Sequence, residues 1–179
     1  MALKYIKFGD SEREVLPNST AFGATWFVSN LKTVENADDE MKGLSEENLR
    51  TTAVVNTSKF PLEKMNFTQD STQEIKLVDY TPNYLKYEYQ SKKDAFAVFS
   101  EIYYPEGWVA MIDGKQSEYI NVNYILRGMQ VPAGKHVVEF RFDPQTYKTG
   151  ATITQLSAYL VGLIVILALG LSFYREIKN

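Results

Sequence analysis

In a series of short stretches along this chain apolar and polar residues alternate with a period of two, but from residue 153 to 173 the alternation gives way to a predominantly apolar run without an ionisable group other than tyrosine. The two regimes predict a sheet-forming body followed by a rod. The strongest sheet signal is residues 95–115, AFAVFSEIYYPEGWVAMIDGK. Phe96, Val98, Ser100 and Ile102 alternate there with Ala97, Phe99, Glu101 and Tyr103, so a strand with two distinguishable faces is predicted. Pro105-Glu106-Gly107 stops this ladder and residues 108–112 resume it, which reads as a hairpin. Asp113-Gly114 suits the positive φ angles of a type I′ turn, with the chain returning through Ser117 to Val122. A second unit follows, with a turn at Pro132-Ala133-Gly134-Lys135 and a strand that puts His136, Val138, Phe140 and Phe142 on one face.

The rest of the pattern extends the same plan. Residues 1–20 carry a mixed-charge stretch and predict a flexible segment. Strands are expected at 26–28 and 31–34, then a short helix capped by Asn36, ending near Gly43 and followed by a further turn to Arg50. Asp38, Asp39 and Glu40 favour the positive end of that helix rather than a calcium loop, whose ligands alternate around a glycine turn. A strand at 51–56, a turn-rich surface connection over 58–72, strands at 74–80 and 84–89, and strands at 119–123 and 125–131 complete the body. Strands this short and this regularly spaced predict a mainly β fold, an antiparallel sandwich of immunoglobulin or jelly-roll type over 21–146 with a minor helical element. Residues 147–152 read as a linker, 153–174 as a transmembrane helix and 175–179 as a tail. A helix over 153–173 would be about 31 Å long, close to the ~30 Å of a hydrocarbon core.

Composition narrows the chemistry. The chain has 179 residues, 19 basic and 22 acidic, for a net charge of −3, so nucleic acid is not an expected partner. With no cysteine and one histidine, thiolate catalysis, disulfides and cysteine-ligated zinc are excluded, and a His-rich metal centre or Ser-His pair is disfavoured. No phosphate-binding glycine loop and no nucleophile-base motif is present, so no catalytic residue, metal ligand or cofactor is assigned to this chain. The polar GDSERE stretch after Lys7 leads to the expectation that there is no signal peptide. Basic residues flank the apolar run on both sides, so charge alone does not orient it. Asn18, Asn56 and Asn66 match the glycosylation acceptor pattern, which this reading treats as chance.

FSEIYYPEGW, the MIDGK turn, NYILRGMQVPAGKH and VEFRFDP occur in that order directly ahead of the apolar run, and AFGATWFVSNLKTVENADDEM and TAVVNTSKF precede them. In this order they resemble the end of the YfhO family of bacterial membrane proteins, from about residue 20 onward. The family resembles multi-spanning glycosyltransferases whose membrane core uses a polyprenyl-phosphate sugar donor and carries an extracytoplasmic β domain. The resemblance implies a plasma-membrane location with the sandwich outside and the C-terminus in the cytoplasm. It also implies a terminal fragment or divided polypeptide, because the acidic residues proposed for catalysis in the family belong to early membrane helices that this chain lacks.

Six residues stand out as candidates for contact with a glycan or phosphate. Tyr103, Tyr104 and Trp108 flank the Pro-Glu-Gly corner, where aromatic faces beside polar groups suit sugar rings and equally suit plugging a sandwich end. Arg127 sits in an otherwise apolar strand, so it must be paired or face a cleft; an ion pair with Glu101, Asp113 or Glu139 is expected, and Asn123 and Tyr124 are its neighbours. His136 is expected to bond loop backbone. The partners implied are the lipid bilayer, neighbouring transmembrane helices suggested by the small residues Ala158, Gly162 and Gly170, and a lipid-linked sugar or glycan. The resulting function is an accessory domain of a membrane glycosyltransferase-like protein serving the cell envelope. The alternative is a self-contained, tail-anchored module that binds protein or glycan.

Overall fold

A computed structural model describes residues 5–8, 11–14, 21–62, 64–69 and 71–178. In chain order these form β1 Tyr5–Phe8, β2 Ser11–Glu14, β3 Thr25–Val28, β4 Asn30–Val34, α1 Ala37–Glu46, β5 Thr52–Asn56, β6 Glu74–Thr81 and β7 Tyr84–Ser91. They continue as β8 Ala95–Ile102, β9 Trp108–Ile112, β10 Lys115–Gln116, β11 Ile120–Val122, β12 Leu126–Val131, β13 Gly134–Phe142 and α2 Gln145–Lys178. Within the segment expected to be flexible, β1 and β2 pair antiparallel with Tyr5 opposite Glu14. The remainder of that expectation, Asn18 included, lies outside the described residues.

Two antiparallel sheets make the body, one in the order β10-β9-β13-β7-β6 and the other β11-β12-β8-β3. Their facing sides carry the alternate apolar residues, and Leu85, Tyr87, Val138 and Phe140 of the first meet Ala97, Phe99 and Met129 of the second in a buried core. Phe99 lies edge-on to Tyr87 and Phe140 at centroid separations of 4.8 and 5.0 Å, the favoured geometry for ring quadrupoles. This is the antiparallel sandwich that the period-two pattern predicts.

The second sheet is covered on its other face as well. Phe96, Val98 and Val122 pack against Leu31, Ala53, Val55 and Phe67. That outer layer is β4 and β5, which run parallel and therefore need a crossover, supplied by α1. Asn36 caps the helix, accepting at Oδ1 the Asp39 N–H at 2.9 Å, with Asp38, Asp39 and Glu40 in the first turn. The helix runs through Gly43 to Glu46 instead of ending there. Gly43 brings α1 close to β5: a Cβ at this position would lie 3.1 Å from both Val54 methyls. The connection over 58–72 is not all surface, since Phe67 is buried beside Phe96.

Two expected elements are corrected. The Pro105-Glu106-Gly107 corner does not fold a hairpin, because β8 and β9 lie in different sheets. By crossing the sandwich there, the chain lets the apolar sides of both strands meet across one core; in one sheet they would point away from the same neighbour. The hairpin is β9–β10, closed by Asp113 (φ 49°) and Gly114 (φ 77°), and its pairing ends at Gln116, after which β11 joins the other sheet. The linker expected at 147–152 is also helical. Thr149, Thr152 and Thr154 donate their hydroxyls to carbonyls four residues back, so these polar residues continue α2 instead of breaking it.

The stretch Gln145–Leu171 of α2 is long and apolar enough to cross a membrane, and none of its most apolar window is buried against the sandwich. An apolar rod with no protein around it is what a bilayer accommodates. Because Phe99 contacts both sheets, Phe99→Ala should lower the domain's stability by about 3–5 kcal/mol, read from urea midpoints of tryptophan emission. Glu88→Ala on an exposed face should stay within about 0.5 kcal/mol of the parent.

Candidate functional site

β7 starts, and β6, β8 and β13 finish, at one end of the sandwich, and α2 leaves from that same end. Its loops are tied together by backbone bonds: Phe142 N–H donates to Asn83 O at 2.9 Å, Asp143 N–H to Gly107 O at 2.7 Å and Tyr103 N–H to Ile125 O at 2.8 Å. All six candidate residues lie at this end.

Arg127 plugs it from inside. Its side chain points between the sheets and is 2% exposed. The guanidinium carbon stands 4.4 Å from the ring centre of Trp108, 4.9 Å from Phe140 and 6.0 Å from Tyr119. Nε donates to Ile102 O at 2.9 Å, while Nη1 is buried without a hydrogen-bond partner. The expected ion pair is not formed. Asp113 bonds His136 at the opposite end, and Glu139 accepts from the Tyr84 hydroxyl and meets Arg141 at 3.4 Å. Glu101 is near enough for its charge to favour the cation but makes no ion pair with it. Arg127 is therefore held by aromatic faces and one carbonyl, because the alternation that points residue 127 inward surrounds it with rings. Burial pulls its pKa down from the usual arginine range, opposed by Tyr119 and Glu101.

Aromatic rings wall two clefts nearby. One, of about 600 Å³, is lined by Phe60, Pro105, Trp108, Tyr119 and Glu118 among others. The other, of about 240 Å³, is lined by Glu40, Asn56, Lys59, Phe60, Tyr103 and Tyr124 among others. Phe60 belongs to both, and Tyr103 stands edge-on to it at 5.6 Å and to Tyr119 at 5.4 Å. Tyr119 donates its hydroxyl to Trp108 O at 2.9 Å, and burial pushes its pKa up to about 12, so it remains a neutral donor at physiological pH. Aromatic walls, with the Lys59 ammonium at the smaller cleft and the Glu118 carboxylate at the larger, can stack a sugar ring, and the smaller cleft can pair with a small anion.

Asn123 and Tyr124 have φ angles of 50° and 71°. Asn123 accepts at Oδ1 the Val54 N–H at 2.8 Å, fastening β5 to the turn between β11 and β12, and the Tyr124 N–H donates to the buried carboxylate of Glu40 at 2.9 Å. Asn123 thus braces the site, while the Tyr124 ring lines a cleft. Tyr104 is half-exposed at the corner. Residues 59, 60 and 119 were not singled out from the sequence. Phe60 and Lys59 sit in a turn-rich stretch with no periodicity, and only the fold brings them to Tyr103. Among the described residues no cluster of three or more acidic or imidazole side chains is arranged to hold a metal.

His136 lies at the opposite end. One ring nitrogen is 2.5 Å from Asp113 and the other 3.1 Å from Ala133 O, so it bonds loop backbone as expected and a carboxylate besides. The bond to Asp113 raises the His136 pKa above its ordinary 6.5. Asp113 is lowered first by the Val137 N–H and then by His136.

A β-sandwich followed by an apolar, unburied C-terminal helix has the form of a membrane protein with one candidate span. Residues 48–154 match the model of the family described as bacterial membrane protein YfhO, and the chain belongs to that family. It is 26% identical over 92 residues to the uncharacterized protein YfhO of Bacillus subtilis (strain 168), a match covering 51% of this chain and 11% of that protein. No solved structure matches the chain.

Two outcomes follow from this geometry. Arg127→Met keeps the packed stem and removes a desolvated charge, so stability should hold or rise by about 1–4 kcal/mol, whereas Arg127→Ala should lose about 2 kcal/mol or more in urea melts. The single histidine should titrate by NMR with a midpoint above 6.5, and Asp113→Asn should bring it back toward 6.5. A raised histidine pKa stabilises below about pH 6.5 and is lost as pH rises through the folded value. A lowered aspartate pKa stabilises above about pH 4 and is lost as pH falls through its folded value. The pair therefore helps most between these limits, by less than about 1 kcal/mol because both groups meet solvent.

Proposed function

We propose that this chain is an accessory, extracytoplasmic β domain of a membrane glycosyltransferase-like protein, anchored in the bacterial plasma membrane by α2 with its C-terminus in the cytoplasm. The observation that carries this reading is the position of the aromatic clefts at the end of the sandwich from which α2 leaves. A sugar attached to a lipid carrier is presented at the membrane surface, and rings at that level can stack on it while Lys59 meets a phosphate. Trp108, Tyr103, Tyr104 and Tyr124 are the aromatic contacts in this reading, with Arg127 and Asn123 holding the frame around them. Family membership supports the link to glycosyl transfer, with bond-making left to a membrane core and not to this domain.

The free surface of α2 supports a place beside other helices. A Cβ at Gly162 or Gly170 would meet nothing within 4 Å, so these faces are open to a neighbouring helix, and small residues allow close approach in lipid.

Topology tests the reading directly. Single cysteines replacing Lys92 and Lys135 in the cysteine-free chain should react with a membrane-impermeant maleimide on intact bacteria, and a fluorescent protein fused after Asn179 should report the cytoplasm. Labelling only after lysis would place the sandwich inside, defeating an outer-surface role and favouring a self-contained tail-anchored binding module.

A further inference from the structure

We infer that the end of the sandwich next to α2 is itself a membrane-contact surface, its exposed apolar side chains seated in the headgroup layer of the bilayer. The inference rests on α2 spanning the membrane but not on which side the domain faces. Tyr80, Ile102, Tyr104, Tyr124, Ile125 and Phe142 are between 39% and 68% exposed, and every one of them sits in or beside the loops at this end. Tyr147 on the first turn of α2 continues the set at 74%. At the opposite end the loops carry Lys92, Lys93, Asp94, Asp113, Lys115 and Lys135; the other exposed large apolar side chains of the sheet domain, Phe22, Met41, Met65 and Val78, are scattered. Single exposed apolar residues are ordinary on any domain, but a group of six at one end, continued by the helix, marks a contact surface.

The spacing sets the depth. From Gln145 to the apolar stretch beginning at Ile153 the helix rises about 12 Å, while the interfacial zone on each side of the hydrocarbon is about 5–8 Å thick. A domain held at the start of α2 therefore keeps its loop backbone out of the hydrocarbon and about 4–7 Å above the headgroup zone, so it is the side chains directed toward the bilayer, with Tyr147 on the helix itself, that reach the headgroups. The exit is short and tethered, since Asp143 N–H binds Gly107 O at 2.7 Å and the Asp143 carboxylate meets Lys148 Nζ at 2.5 Å. Tyrosine and other amphipathic aromatics settle at that depth, apolar body down and hydroxyl up, and a charged neighbour such as Glu106 or Arg141 remains hydrated there. The helix and the domain thus share one continuous lipid-facing surface. The occupant is lipid headgroup and upper acyl chain, not a second protein.

The absence of cysteine makes the test direct. Ile102→Cys and Tyr104→Cys at this end, Lys92→Cys and Lys135→Cys at the other, and Leu163→Cys in the span would each be labelled with an environment-sensitive fluorophore. The full chain would then be reconstituted in phosphatidylcholine–phosphatidylglycerol vesicles. Spin-labelled headgroup lipid should quench the labels at 102 and 104 at least threefold more than those at 92 and 135, and aqueous iodide should show the reverse order. Labels at 102 and 104 as open to iodide as the far-end labels, with Leu163 quenched by acyl-chain spin labels, would overturn the inference and leave the anchor intact. Shielding from both quenchers would assign the surface to protein contact and overturn it as well. An unquenched Leu163 would defeat both the contact surface and the span it depends on. Two independent rim positions keep the test valid if one variant folds poorly.

Discussion

The first five residues of β8 are buried on both faces of their sheet, and the body is arranged around that constraint. Residues 95–99 of β8 are all buried. Ala95, Ala97 and Phe99 face the five-stranded sheet, and Phe96 and Val98 face the layer built on β4 and β5. Burying five consecutive apolar residues requires cover on both sides, and this makes the second sheet the middle layer of three. The outer cover could not be another meander step, because β4 and β5 run parallel and need the crossover that α1 provides. Small residues recur where the layers touch most closely: a Cβ at Gly128 on the neighbouring strand β12 would come within 2.8 Å of Phe96 and Val122 atoms.

The helix-proximal end turns this architecture toward function. Sheets that face each other leave an open end, and here it is filled by an arginine held between indole and phenyl faces and bonded to one carbonyl. Such a residue is expensive to desolvate and contributes little as an ion pair, so its value lies in filling the end while keeping the rings of Trp108 and Tyr119 apart. Those rings, with Phe60 and Tyr103, wall the clefts. The backbone bonds that join the corner at Gly107 to Asp143 connect the same end to α2, so the clefts, the apolar rim and the start of the long apolar helix are tied together.

Much of this was legible in the sequence because it depends on local periodicity. The alternation at 84–89, 95–103 and 136–142 sorted Tyr87, Phe99 and Phe140 onto particular strand faces, the Asp-Gly pair marked its turn, Asn36 marked a helix start, and the apolar run from Ile153 marked a long apolar helix able to cross a membrane. Tyr103, Tyr104, Trp108 and Arg127 stood out as candidates because aromatics at a strand end and a cation in an apolar strand are chemically conspicuous wherever they occur, and Asn123 and Tyr124 were named as neighbours of Arg127. Strand partners, the crossing at Pro105 and the parallel pair were not legible, since two strands of identical pattern can pair or face each other. Only the competition for apolar cover decides between them. Arg127 shows the same limit: its apolar strand required that it be paired or face a cleft, but whether it would be buried, and whether carboxylate or aromatic ring would meet it, depended on which residues the other sheet delivered. The alternation alone determined which side chains go inside and that a rod leaves at the end. Tertiary packing decided what each of them touches, because that choice is made between residues up to a hundred positions apart.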